Sequence, residues 1–343
     1  MTVLTINSGS SSIKYSVYSD EQEVASGKVS GDAMRDRDTA IGAILAKLRS
    51  DGHLDGVEAV GYRIVHGGPD HIAPERITEN LRNELKELEG LAPDHMPDQL
   101  AVIAAVAKAL PDLPGVACFD TAFHRCMPRV AQLYGLTREL ADAGVIRYGF
   151  HGLSYAYIVS DLRREGALPQ RLIVAHLGNG SSMAAILNGA SVDTSMGLTP
   201  TGGFMMSSRS GDLDPGVLLY LMRARGMTAD QVNRLVTKEG GLKGLSGLTS
   251  DMQELIQASP MNPAAAEAVE VYCYQARKFL GAFAAALGGL DLLIFTGGIG
   301  ENSPEVRERI SLGLKALGNP PVRVMKTNEE VMIVRGTREV LAS

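Results

Sequence analysis

The stretch Val3-Leu4-Thr5-Ile6-Asn7-Ser8-Gly9-Ser10-Ser11-Ser12-Ile13-Lys14-Tyr15-Ser16-Val17-Tyr18 decides the fold. Val3 to Ile6 is a short apolar, β-branched run, and Lys14 to Tyr18 alternates in character. The residues between them, Asn7 to Ser12, are small, polar or glycine. Strand, glycine and serine turn, strand is a hairpin signature. The same order returns later in the chain. Arg171 to Leu177 reads as a strand, Gly178-Asn179-Gly180-Ser181-Ser182 as the turn, and Met183 to Leu187 as the second strand. The two hairpins stand half a chain apart with similar surroundings. The sequence therefore predicts an internal duplication, two α/β domains that each open with a hairpin.

Working outward, Gln22 to Val29 reads as a third strand, Ala40 to Arg49 as a helix, and Val57 to Val65 as a strand stopped by His66-Gly67-Gly68-Pro69. Helical patterns cover Thr78 to Glu89 and Pro97 to Leu110, and Val116 to Phe119 is a short strand. In the second half Ser154 to Arg164 is helical. Pro263 to Leu287 is long, alanine-rich and apolar on more than one face, which fits either a buried helix or an oligomer contact. Leu290 to Phe295 is an apolar strand that runs into Thr296-Gly297-Gly298-Ile299-Gly300. Asn302 or Ser303 then caps a helix with Pro304 in its first turn. Val322 to Met325 is a late strand, and Asn328 begins the last helix. Hairpins make the sheets mixed, which separates this pattern from a plain Rossmann fold. The expected boundary is tight, with residues 1–149 plus a returning C-terminal helix, 328–343, forming one domain and 150–327 the other.

The 343 residues are enough for two cores. The net charge is −6 and no lysine or arginine run forms a polybasic patch, which argues against nucleic acid as a partner. No apolar run is long enough to span a bilayer, and the N-terminus lacks the features of a signal peptide. A cytoplasmic enzyme is expected. Cys118, Cys126 and Cys273 form neither a CxxC pair nor a zinc spacing, so buried thiols in a reducing compartment are the expectation.

Three glycine-rich turns follow apolar strands: Asn7 to Ser12, Gly178 to Ser182 and Thr296 to Gly300. Such turns let backbone N–H groups converge on an anion, and serine hydroxyls add donors, so phosphate binds without a large positive charge. The chain has no GxxxxGK[ST] motif and no DFG triplet, which excludes a P-loop and the protein-kinase pattern. The hairpin placement fits the actin, hexokinase and heat-shock-70 type of nucleotide fold, in which ATP phosphates lie between duplicated domains.

Taken together, the segments resemble the acetate kinase family of short-chain carboxylate kinases, which includes propionate and butyrate kinases. The matching stretches include NSGSSSIKYSVY from Asn7, GYRIVHGG from Gly61, FDTAFHRCMP from Phe119 and RYGFHGLSY from Arg147. AHLGNGSSMAAILNGASVDTSMGLTP from Ala175, SRSGDLDPG from Ser208, GLSGLTSDM from Gly244, FTGGIGENSPEVR from Phe295 and TNEEVMIVR from Thr327 follow in family order.

The resemblance implies two actin-like, ribonuclease-H-like domains of the acetate and sugar kinase superfamily. It implies direct, reversible phosphoryl transfer between ATP and acetate, or another short-chain carboxylate, to give ADP and the acyl phosphate. Magnesium is the implied metal, manganese the alternative, and the implied assembly is a homodimer. Carried over residue by residue, Arg63, Asp120, His151 and Arg209 are the implied catalytic set, with His151 and Arg209 stabilising the transition state. Val65, His95 and Pro200 join Arg63 around the acid. Ser10, Ser12 and Lys14 match the first phosphate segment, and His176, Asn179 and Gly180 the second. Gly297, Gly298, Gly300, Asp251 and Gln253 match the adenosine side, and Asn7 and Glu329 the metal positions. This chain departs from the family at Asp94, where an apolar residue usually precedes the histidine, and at Gln253, usually arginine. It is also short between the first hairpin and GYRIVHGG, and between GIGENS and TNEE. Other readings stay open: propionate or butyrate as the acid, and a nucleotide-binding protein without catalysis.

Overall fold

A computed structural model describes residues 1–9, 12–31, 34 and 36–342. Two compact units emerge. Unit 1 gathers Met1–Arg125, Phe150–Tyr157 and Asn328–Ser343, and unit 2 gathers Cys126–Gly149 and Ile158–Thr327.

Unit 1 is built on β1 (Thr2–Ser8), β2 (Ser12–Ser19), β3 (Gln22–Ser30), β4 (Ala59–Ile64), β5 (Glu75–Arg76) and β6 (Gly115–Phe119), in the order β3-β2-β1-β4-β6-β5. The first three strands are antiparallel, and β1, β4 and β6 run parallel. Alternation along the strands sends neighbouring residues to opposite faces. Leu4 and Ile6 of β1 join Val60, Ile64 and Phe119 in a cluster with the helices Arg37–Ser50 and Met96–Ala109, through Ile41, Ile44, Val102 and Ile103. Val3 instead packs with Val331 and Val334 of the helix Glu329–Ala342, and Val116 and Cys118 pack with its Ile333. Gly61 permits that approach, because a Cβ there would stand 2.5 Å from both Ile333 and Thr337.

Unit 2 repeats the plan. Its strands are β7 (Arg171–Leu177), β8 (Ser181–Leu187), β9 (Ala190–Thr194), β10 (Leu292–Thr296) and β11 (Val322–Val324), in the order β9-β8-β7-β10-β11. Again the hairpin strands are antiparallel, and the first strand continues into parallel neighbours. The mixed sheets and the duplication follow the expectation from sequence. The helix Pro263–Leu287 is core: Ala265, Ala268, Tyr272, Ala276 and Leu280 are fully buried with Ile173, Ala175, Leu177 and Phe295. The burial expected for this helix is met on that face, while Tyr274 on another face is exposed.

Three features differ from the sequence reading. Thr296 to Gly300, read as an open turn, is the end of β10 and the start of a helix, Gly297–Asn302. The single boundary after residue 149 is also not how the units group. Cys126–Gly149 is fastened to unit 2 by Arg147, whose Nη1 donates to the carbonyls of Thr194, Ser195 and Met196. Tyr134 adds to this by accepting from Leu198 N at 2.7 Å. Cys118 and Cys273 are buried, and burial pushes each thiol up to about 12, whereas Cys126 is exposed, against expectation. Among the described residues no helix is long and apolar enough to cross a membrane.

Candidate functional site

In unit 1 the candidate residues converge where β1, β4 and β6 end. Asn7 is the penultimate residue of β1, Arg63 that of β4, and Asp120 follows directly on β6. Parallel strands deliver their C-terminal ends to one edge, so three separate segments meet there. Arg63 Nε donates to Asp120 Oδ2 at 3.0 Å and its Nη2 to the same oxygen at 2.5 Å. Its Nη1 lies 3.0 Å from Glu329 Oε2 and 3.4 Å from Asn7 Oδ1. Glu329 arrives as the first residue of the C-terminal helix. Arg63 is 19% and Asp120 2% exposed, so this is a desolvated constellation rather than a surface pair. Burial acts to lower the proton affinity of the guanidinium, but Asp120, then Glu329 and Glu330, more than offset it, and Arg63 is held above its ordinary pKa.

His151 joins the same unit through backbone geometry. It sits in the left-handed region, φ 58°, just before the helix Gly152–Arg164. The next amide, Gly152 N, donates to Asp120 O at 2.9 Å. A Cβ on Gly152 would stand 2.1 Å from that oxygen, so only glycine fits, and the contact locks His151 beside the Asp120 segment. Ser12 begins β2, and Gly9 N donates to its carbonyl at 2.9 Å. Lys14 is the cross-strand partner of Asn7 and is exposed. Ser10 lies outside the described residues. Val65 follows β4, and His95 precedes the helix Met96–Ala109 as its cap without a side-chain capping bond.

In unit 2 the second set gathers around the β7–β8 turn. His176 is the penultimate residue of β7 and pairs with Ser182 and Thr296. Asn179 O accepts from Ser207 N at 3.3 Å, which ties this turn to the loop that carries Arg209. Met206 N donates to Arg209 O at 3.0 Å, and Arg209 Nη1 donates to Pro200 O at 3.1 Å, so Arg209 and Pro200 are brought together. Gly297 has φ 78°, and a Cβ there would stand 2.7 Å from Leu177 O, so glycine is needed where β10 turns into the helix past β7. Gly298 N comes within 3.9 Å of the Cβ position of Gly178, which places the two glycine segments side by side. Asp251 caps the helix Met252–Ala258 by accepting from Glu254 N at 3.0 Å, and both Asp251 and Gln253 are exposed.

The metal positions meet a chemical test. Among the described residues no group of three His, Cys, Asp or Glu forms a metal cage. The oxygens of Asn7, Asp120 and Glu329 carry more negative charge than the single guanidinium they surround. Few side-chain oxygens and surplus negative charge suit a hard divalent ion that keeps most of its shell as water and phosphate.

Two residues that position this site are absent from the sequence reading. Gly152 looks like one glycine among many until its contact with Asp120 is known. Gln99 is 2% exposed, with Oε1 accepting from Val65 N at 3.0 Å and Nε2 donating to Ser8 O at 3.3 Å. The only signal in sequence is a polar residue on the inner face of an apolar helix.

Two duplicated α/β units, each with a hairpin feeding a mixed sheet and small-residue turns at the strand ends, define a protein of the actin-like sugar and carboxylate kinase class. A hexokinase from Thermus thermophilus, 14% identical with a TM-score of 0.50 over the whole chain, shares this fold. The sequence model of the Acetokinase family matches residues 23–321, and the chain belongs to that family. An acetate kinase of Rhodopseudomonas palustris is 40% identical over 339 residues, covering 90% of this chain and 85% of the relative. The structure of Porphyromonas gingivalis acetate kinase matches with a TM-score of 0.91 at 35% identity, covering 99% of each chain. A propionate kinase from Francisella tularensis matches with a TM-score of 0.94 at 31% identity over 99% of each chain.

Proposed function

We propose that this chain is an acetate kinase, transferring the γ-phosphoryl group of ATP reversibly to acetate. One observation carries the reading: in an Acetokinase-family chain, Arg63 is held between Asp120 and Glu329 beside Asn7 where three strands end. Phosphoryl transfer asks for positioning and charge neutralisation more than for covalent work. The planar guanidinium of Arg63 suits a carboxylate, and its two acidic partners fix its plane. Arg209, steadied by the Pro200 carbonyl, and His151 stabilise the charge on the phosphoryl group in flight. Asn179, Gly180, Ser12, Lys14 and His176 receive the ATP phosphates. Gly297, Gly298, Gly300, Asp251 and Gln253 serve the nucleoside side, and Val65, His95 and Pro200 the acyl group.

Asn7 and Glu329 are the magnesium positions, with Asp120 acting through water or on the acid. Magnesium, when bound, draws charge from the phosphate oxygens. The transfer is direct: a carboxylate oxygen of acetate forms a bond to the γ-phosphorus while the bond to the β–γ bridging oxygen breaks, and ADP leaves with that electron pair. No proton moves and no residue carries the phosphoryl group.

A homodimer in the cytoplasm completes the reading. The helix Pro215–Ala224 buries none of its residues and exposes Val217, Leu219, Tyr220 and Met222. A short helix with an uncovered apolar face gains little from folding alone, so a second copy is the cover we assign to it. Light scattering should give twice the chain mass.

The test is steady-state turnover with ATP and magnesium across acetate, propionate and butyrate. The highest kcat/KM with acetate is expected. Propionate is the second reading, favoured by the likeness to the propionate kinase, and it would lead if the acyl site accepts one more methylene, a difference of only ~1–3 kcal/mol. ATP binding without turnover on any acid would overturn both.

A further inference from the structure

We infer that Gln99 is a positioning residue for the reaction proposed above, and the inference rests on that reading. The parallel register of β1 and β4 runs from Val3 paired with Ala59 to Ile6 paired with Tyr62 and ends there. Asn7 and Arg63, the residues that matter chemically, lie one step beyond the last pair. On its other flank β4 is still fastened to the β6 segment, because Asp120 N donates to Ile64 O at 2.9 Å and Gly67 N to Thr121 Oγ1 at 3.0 Å. On the β1 flank the fastening comes from a side chain. Gln99, near the start of the helix Met96–Ala109, accepts from Val65 N and donates to Ser8 O. A primary amide can accept and donate at once, as a peptide group does, so Gln99 continues the sheet by one rung after main-chain pairing has stopped.

Each partner sits beside a site residue. Ser8 follows Asn7, and Val65 stands two places after Arg63 and is itself assigned to the acid. Any buried glutamine must find hydrogen bonds. The position of these two bonds makes this one more than a satisfied core group. Severing them frees the β1 and β4 ends to separate where the carboxylate and the metal are handled, while the cores below, built on Leu4, Ile6 and Val60, are untouched.

The test is Gln99→Met, which keeps length and helix propensity but removes both bonds. Expected are a KM for the acid raised about 10-fold, a KM for ATP within about two-fold of wild type, and an amide exchange rate at Val65 raised about 10-fold. A lower melting point with normal KM values in the surviving enzyme would reduce Gln99 to a structural residue and overturn the inference. Gln99→Glu keeps the acceptor for Val65 and should return the acid KM towards wild type. Equal acid KM values in the Glu and Met variants would also overturn it. A wild type that makes no acyl phosphate would sink the proposed reaction instead, and Val65 exchange would then judge the pinning on its own.

Discussion

The two sheets share a frame and differ in what they set at its edge. Extending the pairing of β1 with β4 by one step beyond Ile6 and Tyr62 brings Asn7 opposite Arg63. At the same place in unit 2, His176 stands opposite Thr296. Unit 1 thus presents a guanidinium between two carboxylates, and unit 2 presents an imidazole, a hydroxyl and glycine backbone. The topology decides where strand ends meet, and under the proposed function the side chains there assign the acid and metal to one edge and the phosphates to the other. The difference is also energetic. The Arg63 constellation is desolvated and costs about 3–5 kcal/mol to break by removing one partner. At the unit 2 edge Glu301 Oε1 accepts from Gly297 N at 3.0 Å and from Thr296 Oγ1 at 3.4 Å, hydrogen bonds worth about 0.5–3 kcal/mol each.

Arg63→Met strikes the comparison hardest. It leaves Asp120 and Glu329 as facing carboxylates without their cation. Turnover should fall by ~10³–10⁵, and urea unfolding at neutral pH should lose about 3–5 kcal/mol. An unchanged unfolding midpoint would show that the constellation is not the buried network described. Arg209→Ala in unit 2 separates the two edges: a similar loss of rate is expected, ~10³–10⁵, with a smaller loss of stability than in Arg63→Met. A comparable loss of stability there would erase the contrast.

Gly152→Ala comes next. The added methyl group meets the Asp120 carbonyl and must push the His151 turn away from it. A loss of about 1–3 kcal/mol is expected, with kcat reduced more than the KM for ATP. Crystals showing an unmoved Asp120 would refute the lock.

Acid sensitivity should belong to unit 1. Burial holds the His124 imidazole down at about 4, against the hydrogen bond with Phe150 O at 3.1 Å, and Arg125 adds to the depression. The unfolded chain takes up this proton below about pH 6.5 and the folded chain only near 4. The contribution is therefore whole above pH 6.5 and is lost as pH falls towards 4, by about 3 kcal/mol at most. His124→Gln should flatten that slope when urea midpoints at pH 7.5 and 5 are compared. The smallest effect is expected from Thr296→Val, about 1 kcal/mol, without a change in the pH dependence of stability.

Much of this was legible in sequence for physical reasons. A strand of alternating burial and a turn of glycine and serine are local patterns, so both hairpins, and with them Asn7, Ser12, His176 and Asn179, fall where the sequence places them. Arg63 and Asp120 were legible as motif residues at strand ends. What stayed hidden is non-local. Cys126–Gly149 groups with unit 2 because Arg147 finds three carbonyls about fifty residues ahead in the chain, which no window reveals. Thr296 to Gly300 reads as a loop because glycines disfavour helices, yet the close approach to Leu177 makes glycine the residue that fits there. Gln99 carries its meaning in which two backbone groups it reaches, and nothing in its own neighbourhood announces them.

The central claim is that Arg63, Asp120 and Glu329 serve transfer to a carboxylate rather than nucleotide binding alone. Purified chain with ATP, magnesium, acetate and hydroxylamine tests it most directly, with ADP and acetohydroxamate counted together. The account predicts equal amounts of the two from the wild type and neither from Arg63→Met. ADP released without hydroxamate, or equal yields from both proteins, would contradict it.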